Sequence, residues 1–345
     1  HYLGRSHGVS HRLVASVNGS AFVVDVPYVY GSGSISVDKG TGVARSLTVQ
    51  VKAERDDVLV DPFTVEWQAQ YGITPQGLDT LWVPVGTFVL HRVEQVSRGV
   101  LQVQAKDRWL RVQSARFERA TATSGDTVTA ITSLLEGADS RITVDATDAP
   151  SGTHTSAIWE RDRDKAIQNL AASIGARVRF NPEGVAVIDP VPSVDDPVFF
   201  TVARGRGGTK LASRAGADTA KTYNAVVVVG ETPGGDTIFG EARDEDASSR
   251  TLYGGGAGKR PRFYVTSLVT TQAQADAAAA SLLTESLRVN RTLTVDQLPH
   301  PGLDSGHVID VEVDDSGTFE RHIVAAFELP LFPAQMTVDM ASRME

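Results

Sequence analysis

The stretch "WVPVGTFVLHRVEQVSRGVLQVQAKDRWLRVQSARF", Trp82 to Phe117, alternates apolar and polar residues and breaks that rhythm once, at Ser97-Arg98-Gly99. A period of two puts successive side chains on opposite faces of a strand, and a break that contains glycine reads as a hairpin turn. The stretch therefore predicts two long paired strands with one dry and one wet face, followed by a basic, Trp-bearing exit. The residues before it share the pattern. "RLVASV" and "AFVVDV" flank "NGS", whose Asn18-Gly19 pair suits a turn needing positive φ, while "GSGS" and "DKGTG" mark two more turns. "SLTVQVKAE" sets Leu47, Val49 and Val51 on one face, and "FTVEWQAQYG" does the same with Phe63, Val65 and Trp67. From Arg12 to about Arg119 the reading is strands and turns alone, which predicts a barrel or compact sandwich.

The pattern changes near Ala120. "SGDTVTAITSLLEG" places Val128, Ile131, Leu134 and Leu135 at helical spacing, with Ser124 or Asp126 as N-cap and Gly137 after the last turn. "SRITVDA" reads as a strand. "DRDKAIQNLAASIG" is a second amphipathic helix, with Ile167, Leu170, Ala171 and Ile174 on one face and Gly175 as its stop. "ARVRFNPEGVAVIDP" is a hairpin turning at Asn181 to Gly184. After Pro192 strands return, beginning with the buried "AVVVVG" of "KTYNAVVVVGE". A polar insertion follows, then a helix from Gln272 to about Leu287 whose capping box is Thr271 with Gln274. Its face of Ala275, Ala279, Leu282, Leu283 and Leu287 predicts close packing on a sheet. "RTLTVDQL", "GHVIDVEV", "FERHIVAAFEL" and "AQMTVDMASRME" finish the chain as alternating strands. No solenoid period is visible, but β-rich, α/β, β-rich is a coarse internal symmetry.

The bulk numbers restrict function more than they reveal it. At 345 residues the chain has room for two or three domains, and 41% hydrophobic with 22% charged residues is an ordinary globular balance. Its net charge of −9 carries no basic stripe of the kind that grips phosphates, so stable nucleic-acid binding is not expected. The longest apolar runs are strand-sized, well below the roughly 20 residues of a spanning helix, so no stable membrane insertion is expected. The opening "HYLGRSHGVSH" has no apolar signal core. With no cysteine there is neither disulfide nor thiolate chemistry, and the redox compartment stays open.

No segment makes a convincing active site. "GGGAGKR" (Gly254 to Arg260) lacks the register, the Ser or Thr after Lys259 and the following helix of a phosphate loop, so it reads as a flexible loop. "ARGRGGTK" (Ala203 to Lys210) reads as a basic hairpin tip. "EARDEDASS" (Glu241 to Ser249) lacks the glycine and closing Glu of a calcium loop and reads as a solvated acidic loop. His91 and His322 sit within alternating strands; His300 and His307 flank a Pro-Gly turn as potential neighbours, without metal-ligand spacing. Asp107 and Arg108 could pair and read as structural. "NGS" and "NRT" match glycosylation acceptors, which carry no weight without secretion. Trp67, Trp82, Trp109 and Trp159 could stack on sugars but read as core or interface anchors. No residue is assigned a catalytic, cofactor-binding or metal-ligating role, and the chain is not expected to be an enzyme.

Two stretches stand out. One is the "P-x-G-x-F" hairpin (Pro84 to Phe88) with "DRWLRV…RF"; the other is "LPHPGLDSGHVIDVEV" (Leu298 to Val313). Together with "WERDRDKAIQNLAASIGARVRFNPEGVAVIDPVP" and "YNAVVVVGE", in that order, they resemble the hub or minor tail proteins of bacteriophage tails over nearly the whole chain. The resemblance is to the short hub-type form from phages of high-GC Gram-positive hosts, related to contractile-phage baseplate hubs and to type VI secretion spikes.

The resemblance implies a mainly β fold with α+β insertions: two β-barrel, tail-tube-like domains, a small α/β domain and a helix-bearing insertion. The expected division is 1–119 for the first barrel, 120–195 for the α+β domain, 196–232 with 291–345 for the second barrel, and 233–290 for the insertion. It further implies a homotrimer at the tail tip, a pseudo-sixfold ring joining a sixfold tube to a threefold tip and leaving a channel. The implied partners are tail tube and distal tail proteins, a tape measure protein, and tail fibres or spikes. DNA would cross the channel without specific binding, past acidic walls. The location implied is the virion, after assembly in the host cytoplasm, and no cofactor is implied. The alternatives are a hexameric distal tail adaptor, for which one barrel per chain suffices, and a cell-wall-degrading or carbohydrate-binding tail-tip protein.

Overall fold

The computed structural model describes residues 7–17, 19–38, 42–54, 57–216, 223–232, 234–266, 268–287, 291–313 and 317–342. Asn18 of "NGS", 39–41 of "DKGTG", the opening six residues, Lys221 and Thr222 of "KTYNAVVVVGE", and Asn290 of "NRT" lie outside the described residues. The first third comprises β1 (His7–Val17), β2 (Val24–Asp25), β3 (Ser34–Asp38), β4 (Arg45–Val51), a 3-10 turn (Val58–Val60), β5 (Val65–Pro75), β6 (Leu81–Ser97), β7 (Val100–Lys106) and α1 (Trp109–Ser114). There follow β8 (Thr121–Asp126), α2 (Thr127–Glu136), β9 (Val144–Asp145), β10 (Thr153–Trp159), α3 (Arg163–Ser173), β11 (Ala176–Phe180) and β12 (Ala186–Pro190). The last part holds β13 (Val198–Val202), β14 (Lys210–Gly216), β15 (Ala225–Glu231), β16 (Thr237–Arg243), β17 (Pro261–Val265) and α4 (Gln272–Leu287). It closes with β18 (Arg291–Gln297), β19 (Val308–Glu312), β20 (Phe319–Pro330) and β21 (Met336–Ser342).

The fold is mainly β, as expected. Strands from both ends of the chain form one 13-stranded sheet in the order β14-β18-β21-β20-β3-β4-β7-β6-β5-β1-β2, with β19 beside β20 and β13 beside β19. The hairpin expected at Ser97-Arg98-Gly99 is β6–β7, with Ser97 opposite Val100 and Gly99 at φ 72°. Its dry face joins a single apolar core that runs from Leu47, Trp67 and Leu101 through to Leu293, Val324 and Val338. β20 is the seam. One edge of its first half pairs with β19, and the same edge of its second half pairs with β3, Leu329 opposite Ile35.

The two ends repeat one plan. The run β3-β4-β7-β6-β5 and the run β14-β18-β21-β20-β19 have the same order, and every pairing within each is antiparallel. The registers correspond residue by residue. β6 bulges between Leu90 and Arg92 opposite Ala105 and Gln104; β20 bulges between Val324 and Ala326 opposite Met340 and Asp339. Carrying this through β7 and β21 superposes β4, "RSLTVQV", on β18, "RTLTVDQ", which share Arg, Leu, Thr and Val at the same places. The sixth position differs, because β1 is antiparallel to β5 whereas β13 is parallel to β19. Residues 24–29 hydrogen-bond to β1 on one side (Val26 N to Leu13 O, 2.9 Å) and to β4 on the other (Val29 N to Gln50 O, 2.8 Å). At the other end, Lys210 N donates to Ala203 O (2.9 Å) between β13 and β14.

Several expectations need correction. The exit "DRWLRV" is helical, because Trp109 and Val112 fall on one face and Asp107 accepts the Trp109 N–H at 3.0 Å. Both side chains belong to the apolar core that α2 and α3 also enter. Phe63 lies outside β5 and is 86% exposed, apart from Val65 and Trp67. β5 is buried on both faces, since the Asn181–Gly184 turn covers Gln68 and Thr87: Thr87 Oγ1 donates to Pro182 O at 2.9 Å. β15, assigned by sequence to the second barrel, instead centres a separate sheet, β16-β15-β17. The pair β8–β10 was not foreseen at all.

α2 and α4 start at their side-chain caps. Asp126 accepts the Thr129 N–H at 2.7 Å at the start of α2. Thr271 and Gln274 form the reciprocal box at α4, at 3.3 Å and 3.2 Å. α4 lies tightly on β16, where a Cβ on Gly240 would sit 2.2 Å from the Ala275 carbonyl carbon and oxygen. Gly240→Ala should therefore lift the helix and cost about 1–3 kcal/mol, seen as faster amide exchange in α4 with the 13-stranded sheet unchanged.

Candidate assembly surfaces and the buried junction behind them

The α+β unit and the two repeated runs meet at buried charges. Arg45, 1% exposed, donates from Nη2 to Asp304 Oδ1 and from its other nitrogens towards Phe180 O and Val85 O. Arg179 reaches the second oxygen of Asp304 at 2.7 Å and Asp189 at 3.2 Å; Arg177 binds Asp189 at 2.9 Å and Ser305 O at 3.2 Å. One chain of ions thus ties β4, the β11–β12 hairpin and the "PGLDSGH" turn. A second cluster lies on the β5 side, where buried Glu66 accepts Arg108 at 2.8 Å and Arg111 at 3.0 Å. Asp107 and Arg108 do not pair with each other. Asp107 accepts the backbone N–H groups of Ala44 (2.8 Å), Arg45 (2.9 Å) and Trp109, and burial pushes its carboxyl up to about 6 against those favourable bonds.

His300 and His307 are indeed neighbours, but as part of an aromatic cluster. His307 stacks on Phe199 at 4.1 Å and His300 on Phe200 at 4.5 Å, and His307 Nδ1 accepts the Asp304 N–H. Burial lowers both, His300 to about 4. His322 is fully buried 3.4 Å from Glu320, and His91 is exposed at the β6 bulge. Among the described residues, no group of three or more His, Asp or Glu is placed to hold a metal ion. Trp67 and Trp109 are fully buried, Trp82 lies under Arg12 at 4.1 Å, and Trp159 donates to Thr123. Trp67 and Trp109 are core anchors, and Trp82 and Trp159 are half-buried.

The loops are more ordered than their composition suggests. Glu241, Glu245 and Asp246 of "EARDEDASS" are exposed, as the solvated reading has it, whereas Asp244 is buried and accepts Ser249 and Thr251 hydroxyls at 2.6 Å. Buried Asn224 clamps "GGGAGKR" by donating to Gly258 O and accepting the Arg260 N–H, both at 2.8 Å. A strand, β17, follows that loop, so no helix end awaits a phosphate. "ARGRGGTK" is a turn closed by Gly208 N to Gly205 O.

Among the described residues, three surfaces bear on assembly. The solvent side of the large sheet is polar and acidic. Asp296, Thr337, Glu328, Ser36 and Ser46 follow one another across five strands, with Thr294, Asp339, Ala326 and Asp38 in the next row. Asp339 and Asp296 accept threonine hydroxyls at 2.6 Å and 2.8 Å, which fixes their direction. The free side of β16-β15-β17 is apolar, with Phe239, Phe263 and Val265 at 56%, 67% and 76% exposed. The third surface is the arm of β6 beyond Leu90, which among the described residues pairs with β7 alone.

Removing one member of the Arg45–Asp304 pair strands a buried charge. Asp304→Ala should cost about 3–5 kcal/mol in urea unfolding, whereas Arg45→Met with Asp304→Leu should lose far less. Asp107 has a folded pKa above its unfolded one, so as pH rises the unfolded state ionises first and stability drains away between about 4 and 6. Relative to Asp107→Asn, the native chain should lose about 3 kcal/mol across that window.

No family model matches the chain, and none of the curated proteins matches it in sequence. Solved structures do. The tail protein from Neisseria meningitidis MC58 superposes with a TM-score of 0.69 at 15% identity, over 96% of this chain and 97% of that one. The 43 kDa tail protein of prophage MuSo2 from Shewanella oneidensis gives 0.58 at 12% identity, over 96% and 98%. Prophage tail protein gp18 from Listeria monocytogenes EGD-e gives 0.57 at 12%, over 96% and 94%. None of these organisms supports the high-GC Gram-positive host expected from sequence. At such identities the likeness speaks for architecture: along almost its entire length, this chain has the fold of phage tail proteins.

Proposed function

We propose that the chain is a structural protein of a phage tail tip, a hub in which three copies ring a channel and join a sixfold tube to a threefold tip. The observation that carries this is the internal repeat, β3-β4-β7-β6-β5 matched by β14-β18-β21-β20-β19. Two like units per chain let a trimer present six near-equivalent surfaces, and a closed ring leaves no open edge to grow into fibres. A hexameric adaptor needs one unit per chain, so the repeat favours the trimer. Each unit is a barrel in this reading. The bonds of residues 24–29 to both β1 and β4, and of Lys210 to Ala203, support closure. The units are then 1–107 and 196–216 with 291–345, flanking an α+β domain of 108–195 and an insertion of 225–290.

Surface area points the same way. The chain exposes 16825 Å² at 36.8 kDa, whereas a compact monomer of that mass exposes roughly 13,600 Å². The excess is of the size that obligate interfaces bury. The acidic, threonine-bound row from Asp296 to Asp38 lines the channel in this reading, so passing DNA meets repulsion in place of counterion release. Tube, distal tail and tape measure proteins, and fibres or spikes, contact the ends of the ring in the virion, after assembly in the host cytoplasm. The work is done by interfaces and a pore, with no catalytic residue.

Light scattering should give three times 36.8 kDa, about 110 kDa, and particle images a threefold ring with an open pore. A chain that stays monomeric at every concentration, or a particle without a pore, overturns the reading. Glu328→Lys with Asp339→Lys should make the ring retain DNA on a filter at low salt and release it at high salt. Equal retention by the native ring would refute the channel assignment.

A further inference from the structure

The repeat carries a junction within the chain whose counterpart between chains is missing. β20 bulges at Val324–Ala326, leaves β19, and offers its freed edge to β3, with Glu328 opposite Ser36, Leu329 opposite Ile35 and Pro330 opposite Ser34. β6 does the same up to the last step. It bulges at Leu90–Arg92, leaves β5 after Val89, and runs on beside β7 with the equivalent edge bare among the described residues. Its residues there are exposed apart from Val93. β14 holds the place of β3: it pairs with β18 as β3 pairs with β4, and beyond Lys210, which bonds Ala203, its other edge from Leu211 to Gly216 has no backbone partner among the described residues. Leu211, Ala212 and Arg214 to Gly216 are exposed. A bare strand edge is a template for another chain.

We propose that the β6 arm of one copy adds, antiparallel, to β14 of the next, reproducing between chains the β20–β3 seam found within each. The register follows from the superposed bulges. Glu328, Leu329 and Pro330 correspond to Glu94, Gln95 and Val96, and Ser36, Ile35 and Ser34 correspond to Gly216, Ala215 and Arg214. Glu94 therefore lies opposite Gly216, Gln95 opposite Ala215 and Val96 opposite Arg214 of the neighbouring copy. Charge agrees with this register: Glu94 falls diagonal to Arg214 on one face, a favourable cross-strand pair. Arg214 already approaches Asp296 of its own chain at 3.6 Å on that face. Three such additions with the three internal seams join all the units into one sheet around the pore. The interface is heterologous and is closed by rotation.

This inference rests on the trimeric ring, and the test separates the two. The native chain has no cysteine, so an introduced pair reports without background. Glu94→Cys with Gly216→Cys, treated with a short bis-maleimide, should give covalent dimers and trimers on a denaturing gel. Glu94→Cys with Ala212→Cys, four residues out of register, should remain monomeric there. In both variants light scattering should still report the trimer. A trimer in solution that gives no ladder from the first pair, or an equal ladder from both, overturns the junction and leaves the ring standing. A native chain that never trimerises removes the ring itself.

Discussion

The molecule is organised around a charge that cannot be left alone. Asp304 lies in the dry centre, where Arg45 from β4 and Arg179 from β11 take one oxygen each, and Asp189 and Arg177 extend the chain of ions. Burying a pair gains little net stability, because desolvation offsets most of the attraction. What it enforces is arrangement. Any packing that separates the first run of strands, the α+β hairpin and the "PGLDSGH" turn leaves an ion without a partner in a low-dielectric interior. Three segments remote in sequence are thereby held in one register.

That fixed register makes the seam at β20 useful. A strand long enough to serve two neighbours on one edge joins both halves of the chain into a continuous sheet, so the dry face becomes one core and the wet face one wall. A wall of serine, threonine and carboxylates is a surface on which a polyanion gains no ion pairs. The α+β unit covers the back of β5 and β6, which is why Glu66, Gln68 and Gln70 are buried polar residues in a strand whose other face holds Trp67, Ala69 and Tyr71.

Much of the local structure was legible because it is set by neighbours in sequence. Alternation and a positive-φ glycine specify β6–β7, Asp126 and the Thr271–Gln274 box specify helix starts, and Asn181 to Gly184 specifies a turn. The failures share a cause. "DRWLRV" alternates well enough to pass for a strand, yet Trp109 and Val112 have a second core to enter and Asp107 caps the turn. "EARDEDASS" is solvated at its other carboxylates, but composition cannot show that two hydroxyls close over Asp244. No metal or catalytic cluster was expected, and the histidines that looked like neighbours met through two phenylalanines.

Sequence alone determined the periods, the caps, the turns and the style of each region, all of which depend on interactions within a few residues. It did not show that "RSLTVQV" and "RTLTVDQ" are the same strand twice, since four shared residues in seven are lost among so many β-patterned segments. Tertiary structure decided that equivalence, along with the placing of β15 in its own sheet and the merging of two halves at β20. Those outcomes depend on which strand edges meet and which charges are buried together. Backbone hydrogen bonds are alike for every residue, so pairing partners leave almost no local trace in the chain.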